Sequence, residues 1–257
     1  TSIHTAGQRF EMDYSKPPGK SWKQAAVTID PFRFPGDPRL SAAYEIAFVR
    51  VVNGRKFLYA TQMSGLRVAV FRFEANSEIA IPVAVFGIKS SEQGAAWAQG
   101  RAPVWDASLD ANKNRRLFWR DQNGNGQVDA GEFGDIQMPA TYTKSIDVDE
   151  LGNIWVAGAL QEYSSKFRYG GNLIIPFGSI DANGVPFLGS VPRFVDVARQ
   201  LISPSDQGFS IGHMRYLSAT DTALLATGNY YAKQVYVIDG HLSGDKQTLR
   251  FKLDLGY

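Results

Sequence analysis

The stretch DQNGNGQVDAGE, residues 121–132, carries oxygen-bearing side chains at its first, third, fifth and ninth positions, a glycine at the sixth and a glutamate at the twelfth. Calcium takes about six to eight hard oxygen ligands, and a loop that offers them at positions 1, 3, 5, 7, 9 and 12 can wrap the ion in a pentagonal bipyramid. The ligands would be Asp121, Asn123, Asn125, Gln127 through its backbone carbonyl, Asp129 through a water, and Glu132 through both oxygens. Gly126 would supply the sharp bend, and Val128 would turn an apolar side chain toward the core. The competing reading is a hairpin loop without metal, because Asn-Gly is a strong hairpin signal and NGNG contains it twice. Agreement of all the constrained positions in one register favours the ion.

These residues satisfy the pattern D-x-[DN]-x-[DN]-G-x5-E of the EF-hand family without exception. The surroundings depart from that family. Entry is through RRLFWR, which reads as a strand, and Gly134 and Pro139 in the exit FGDIQMPATY leave room for about one helical turn. Without flanking helices there is no helix pair to open, so a calmodulin-like sensor is not the expectation. The loop resembles those of dockerins and those inserted in secreted bacterial propellers, and this implies Ca2+ as a structural cofactor. Its side chains bring formal charges only from Asp121, Asp129 and Glu132, with Asn in the other two acidic slots. Such a weakly charged site suits roughly millimolar calcium, hence an extracellular or periplasmic location.

Other chemistry is sparse. The three histidines are His4, His213 and His241, and no two lie at metal-ligand spacing. His213, at the start of a strand in FSIGHMRYL, is the candidate general base, against the plainer reading of a histidine satisfied near a strand end. His241 in DGHLSGD reads as turn material, and so does DANG at 181–184. WDASLDANKNRR (105–116) offers Asp106, Asp110, Asn112 and Asn114 but no closing glutamate, so it reads as a plain loop. Many carboxylates could pair in space, Asp147 and Asp149 among them, and sequence spacing does not show which meet. Trp97, Trp105, Trp119, Trp155, Tyr230 and Tyr231 could form an aromatic platform, although the strand positions of Trp119 and Trp155 favour the core. No nucleophile elbow, zinc-protease motif, phosphate loop or dinucleotide fingerprint is present. Catalysis is left open, with no motif that demands it.

The elements that must hold these residues are strands. IAFVRVV, RKFLYAT, LRVAVFRFE and IAIPVAVFG are rich in β-branched and aromatic residues and bounded by Asn-Gly, Ser-Gly or Ala-Asn-Ser turns. RRLFWR, SIDVDELGNIWVAGA, GNLIIPFGSIDANGVPFLG and MRYLSATDTALLATGNYYAKQVYVID repeat that grammar. FLYAT matches LLATG, and VAVFRF matches VYVID, so a three-strand template recurs. Second strands beginning at 57, 117, 154 and 224 are 60, 37 and 70 residues apart, against about 40 to 50 for a propeller blade. FVDVARQLI (194–202) is the one stretch whose apolar spacing suits a short helix. Residues 1–45 hold five prolines between Pro17 and Pro38, which predicts an extended lead-in packed on the core. The expected fold is all-β: a β-propeller of irregular blades over 46–257, complete or partial, with the calcium loop inserted at 121–132; the alternative is a β-sandwich.

DVDELGNIWVAG (147–158) resembles the Asp-x-x-Gly-Asn-aliphatic-Trp-Val-Gly pattern of bacterial NHL-type and streptogramin-lyase-like propellers, and KFRYGGNLIIPFGSIDANGVP is similar to the strand and turn that follow it. The resemblance implies that Asp and Gly close a hairpin while the Trp packs between blades. It implies architecture rather than activity. The functional expectation is a secreted bacterial binding or scaffold module for a protein or carbohydrate ligand. The alternative is a propeller lyase or lactonase-type hydrolase with its site in a central channel; an ion held by residues of several blades would mark that case, whereas one contiguous loop implies a peripheral ion.

Composition narrows the partners. With 27 basic against 25 acidic side chains and no basic block, nucleic acid and anionic membrane are poor partners. The longest apolar run, IAIPVAVFGI, is too short to span a bilayer. The absence of cysteine removes disulfides and thiolate chemistry. The last segment, QTLRFKLDLGY, stops in what reads as the middle of a blade, the expectation for a truncated product or one part of a longer polypeptide, which as a fragment would associate with another chain.

Overall fold

The computed structural model describes residues 1–40, 44–62, 67–88, 116–134, 145–158, 171–189, 193–198, 201, 211–227 and 233–255. Two compact units emerge: Thr1–Asp135 with Ile180–Pro186, and Ile136–Ser179 with Phe187–Tyr257. The fold is all-β, a propeller-like series of small antiparallel sheets. Residues 1–40 lie inside the first unit.

In the first unit β4 (Tyr44–Val52), β5 (Arg55–Gln62), β6 (Arg67–Phe73), β7 (Ala80–Ile88), β8 (Arg116–Arg120) and β9 (Phe133–Gly134) form one six-stranded meander in chain order. Register puts Ala60, Ala69, Val85 and Trp119 in one row and Leu58 opposite Phe71 in the next. All six belong to one core cluster. Phe57, Tyr59, Val68 and Val70 alternate with them and are equally buried. Both faces are covered, so these strands read as unbroken apolar runs rather than as alternation. The β8–β9 ladder has only two pairs, Phe118 with Gly134 and Trp119 with Phe133; the 121–132 loop is its connection.

The lead-in is a sheet. β1 (Ser2–His4), β2 (Gln8–Met12) and β3 (Trp22–Val27) pair antiparallel in that order. Pro17 and Pro18 sit in the β2–β3 connection, and Pro31, Pro35 and Pro38 follow β3. Its salt bridges run from Arg9 to Glu11 and Glu78 and from Lys23 to Glu11, while Ile3, Trp22 and Val27 are exposed. Beyond β3 the chain is fastened to the meander twice. The Ala80 N–H donates to the Thr28 carbonyl at 2.9 Å. The buried Arg39 guanidinium binds Asp37, donates to the carbonyls of Ala6 (2.9 Å) and Ala80 (2.6 Å), and stacks 4.0 Å over the Phe71 ring.

The second unit contains two four-stranded sheets. One has β10 (Ser145–Val148), β11 (Ile154–Gly158), β12 (Gly171–Ile175) and β15 (Arg193–Asp196); the other has β16 (Ile211–Leu217), β17 (Thr222–Thr227), β18 (Gln234–Asp239) and β19 (Thr248–Asp254). β13 (Phe177–Ile180) and β14 (Pro186–Leu188) form a two-stranded ribbon. The β4–β6 and β16–β18 meanders are the template seen in the repeat. The short helix expected at FVDVARQLI is instead strand β15 over its first residues. Val195 and Val197 are buried at period two, and pairing with β12 supplies the hydrogen bonds that a single helical turn cannot.

Candidate metal centre

The loop at 121–132 is wound around its own side-chain oxygens. Asp121 is fully buried and accepts N–H groups from Gly124 (2.8 Å) and Gly126 (2.9 Å). Asn123 Oδ1 accepts the Asn125 N–H at 2.9 Å, and Asn125 Oδ1 accepts the Gln127 N–H at 2.6 Å. These are successive Asx turns, which short amide side chains form readily. The Asn123 and Asn125 amides both donate to Asp129 Oδ2, at 2.9 and 3.1 Å. Positions 3, 5 and 9 therefore meet in space.

Glu132 closes the loop. Its Oε1 accepts from the N–H of Gln122 (2.8 Å) and Asn123 (3.3 Å), and its Oε2 accepts the Trp119 indole N–H at 3.0 Å. Glu132 is 6% exposed and Trp119 is fully buried. A glutamate at this depth without a cation costs several kcal/mol unless hydrogen bonds compensate. Burial pushes the Asp121 carboxyl above its ordinary range, the Gly126 N–H opposes this, and the negative charge of Glu132 raises it further. Two neighbouring carboxylates thus stand buried together, and Arg72, the cation among the described residues that acts on Asp121, also donates to the Gly124 carbonyl at 2.9 Å.

By residue type Asp121, Asn123, Asn125, Asp129 and Glu132, with the backbone carbonyl of Gln127, are donors that a hard divalent cation takes, and here the Asn oxygens accept the loop's own N–H groups while their amides face Asp129. Among the described residues no three acidic or histidine side chains already stand at metal-ligand spacing. The loop's carboxylates are occupied by its own N–H groups, and Asp129 by two amides. Gly124 and Gly126 lie at φ of 76° and 71°, where side chains are disfavoured. A Cβ on Gly126 would come within 2.6 Å of Ile81 and Phe34.

The loop rests on parts of the chain that its own sequence gives no sign of. Gln127 Nε2 donates to the Arg33 carbonyl at 2.5 Å, and Val128 Cγ2 lies 3.2 Å from where a Gly36 Cβ would be. Val128 packs on the meander core, as its position in the loop predicts. The DANG turn also belongs to this unit: Asn183 packs against Gly124, and Asp181 pairs with Arg120.

The remaining candidates fall elsewhere. His213 is exposed on β16, on the same side as Arg215 and opposite Met214 and Tyr216. His4 meets the Phe73 ring edge-on. His241 starts a 3-10 turn yet is fully buried, with Nε2 3.0 Å from Asn172 Nδ2; burial pulls its imidazole down to about 4. Asp147 and Asp149 do not pair. Asp147 accepts the Tyr216 N–H at 2.9 Å, whereas Asp149 accepts N–H groups from Leu151 and Asn153 and the Trp155 indole N–H at 3.0 Å. Trp155 stacks on Tyr216 with ring centroids 4.0 Å apart, so it joins the two four-stranded sheets. Asp181 repeats the Asp149 turn, accepting from Asn183 and Val185. Trp97, Trp105, Tyr230, Tyr231, Asp106, Asp110, Asn112 and Asn114 lie outside the described residues.

Fold and loop together define an all-β, propeller-like chain with a candidate cation loop in its six-stranded sheet. No protein-family profile and no curated protein matches the sequence. Among solved structures the chain is similar to a putative 6-phosphogluconolactonase from Bacteroides fragilis, at 11% identity and a TM-score of 0.37, over 98% of this chain and 69% of that one. A likeness at that level says nothing about activity. In DVDELGNIWVAG the Gly152 N–H closes a turn on the Asp149 carbonyl and Trp155 is buried, and neither feature identifies the NHL family. Among the described residues no helix is long and apolar enough to cross a membrane.

Proposed function

We propose that this chain is a calcium-binding propeller-like protein of the extracellular or periplasmic space, acting as a binding or scaffold module for a protein or carbohydrate ligand, with the ion in a structural role. The observation that carries the reading is the burial of Asp121 and Glu132 in one contiguous loop, neighbouring carboxylates whose repulsion a divalent cation would cancel. Bound Ca2+ supplies that charge. The protein's part is to present the Asp121, Asn123, Asn125, Asp129 and Glu132 oxygens with the Gln127 carbonyl, and to orient Glu132 through the Trp119 indole.

A calorimetric titration of calcium into chelator-stripped protein tests this. Binding in the sub-millimolar to millimolar range characteristic of extracellular modules is expected. Calcium at about a hundred times Kd adds roughly 2.7 kcal/mol to the unfolding free energy. Absence of heat up to about ten millimolar, an order above that range, rejects the metal reading.

A further inference from the structure

We infer that residues 30–36 form a flap whose closure depends on calcium in the 121–132 loop, an inference that rests on the metal reading proposed above. The flap is bounded by fixed points. At one end Thr28 holds Ala80, and at the other the Asp37–Arg39 pair is bonded to Ala6 and Ala80. Between them the flap keeps its own turn, with Asp30 accepting the N–H groups of Phe32 and Arg33. Its docking to the rest of the unit goes through consecutive loop residues and an ion pair from Arg33 to Glu74 at 3.6 Å. Gly126 lies against the Phe34 ring, Gln127 bonds the Arg33 carbonyl, and Val128 packs on Gly36. Phe34 is 1% exposed, while Phe32 is 97% exposed, so Phe34 is the flap's inward aromatic anchor.

Those loop residues are the ones whose backbone the ligand side chains fix. The Gly126 N–H is held by Asp121 and the Gln127 N–H by Asn125. With the ion bound, the Asp121 and Glu132 charges are balanced and the Gly126 bend is set under Phe34. Without it, the two buried carboxylates repel, the bend loosens first, and Phe34 loses its seat. Opening exposes Phe34 and Ile81, an apolar spot that closure covers. The Arg39 clamp contains no loop residue, so β1–β3 stays attached in both states.

Limited trypsin digestion of the intact chain reads this directly, because Arg33 lies in the flap and Lys20 and Lys23 lie outside it. Cleavage after Arg33, normalised to cleavage after Lys20 and Lys23 in the same digest, should fall at least about tenfold from chelator to saturating calcium, as expected when an open population is suppressed. In Phe34→Ala the calorimetric binding of calcium should persist while the ratio no longer responds. Calcium binding with an unchanged ratio overturns the flap and leaves the metal reading intact. Absence of binding removes both. Hydrogen exchange at the Phe34 and Asp37 amides gives a second readout that does not require cleavage.

Discussion

Asn123→Asp separates a metal site from an ornate turn because it weakens the turn with or without calcium, whereas in a metal site calcium offsets most of the loss. In ion-free protein the substitution removes the 2.9 Å bond from the Asn123 amide to Asp129 and puts a carboxylate in its place. Both residues are exposed, so the lost bond costs about 0.5–1 kcal/mol, and repulsion between charges about 4 Å apart in water adds about 1 kcal/mol. The variant should therefore be about 1.5–2 kcal/mol less stable in chelator. In calcium the new carboxylate becomes a third-position ligand of the usual acidic type. A tenfold gain in affinity adds about 1.4 kcal/mol at saturating ion, which closes most of the gap. Urea denaturation of wild type and variant, each in chelator and in calcium, measures the four free energies, and calorimetry measures the affinities. Equal destabilisation in both media with equal affinity would refute the reasoning and leave a hydrogen-bonded hairpin loop.

Other outcomes follow from single contacts. His241 has its folded pKa lowered to about 4 from 6.5, so the unfolded chain binds more protons between those values; stability should be full above pH 6.5 and fall by on the order of 3 kcal/mol toward pH 4. His241→Gln should flatten that slope in pH-dependent denaturation, and an unchanged slope counts against it. Asp149→Ala strips acceptors from two backbone N–H groups and from the buried Trp155 indole and should cost about 2–5 kcal/mol in denaturant unfolding, with a loss under about 1 kcal/mol contradicting the staple. Arg39→Met leaves Asp37 buried and unpaired and should cost about 3–5 kcal/mol. Adding Asp37→Asn should recover part of it, and failure to recover any would place the loss in packing over Phe71 instead.

The all-β class, the strands and the repeating meander were legible because burial on both faces of the β5–β7 strands selects β-branched and aromatic residues. The loop at 121–132 was legible because its bonds are local, each oxygen meeting an N–H a few residues away. The N-terminal sheet was hidden, since β2 and β3 bear salt-bridged and exposed side chains and their prolines sit in the connections. FVDVARQLI misled because apolar residues at three- and four-residue spacing also occur in an edge strand with Val195 and Val197 facing inward. The flap contacts were beyond the reach of sequence. Nothing in DPFRFPG announces that Phe34 will lie against Gly126, some ninety residues away, because such contacts depend on where the whole meander delivers the loop.

The β8–β9 connection has a consequence for the order in which this part of the molecule forms. Closing a loop of about twelve residues costs roughly 2 kcal/mol of chain entropy beyond a constant term, and a ladder of two pairs returns little more than that. Register between Phe118–Trp119 and Phe133–Gly134 is thus dictated by the contents of the loop: once Glu132 has captured the N–H groups of Gln122 and Asn123 and the Trp119 indole, the two strands are already opposite one another. With only two ladder pairs of its own, strand β9 is expected to form once its loop has closed, which exchange protection of the Gly134 amide relative to the β5–β7 amides would report.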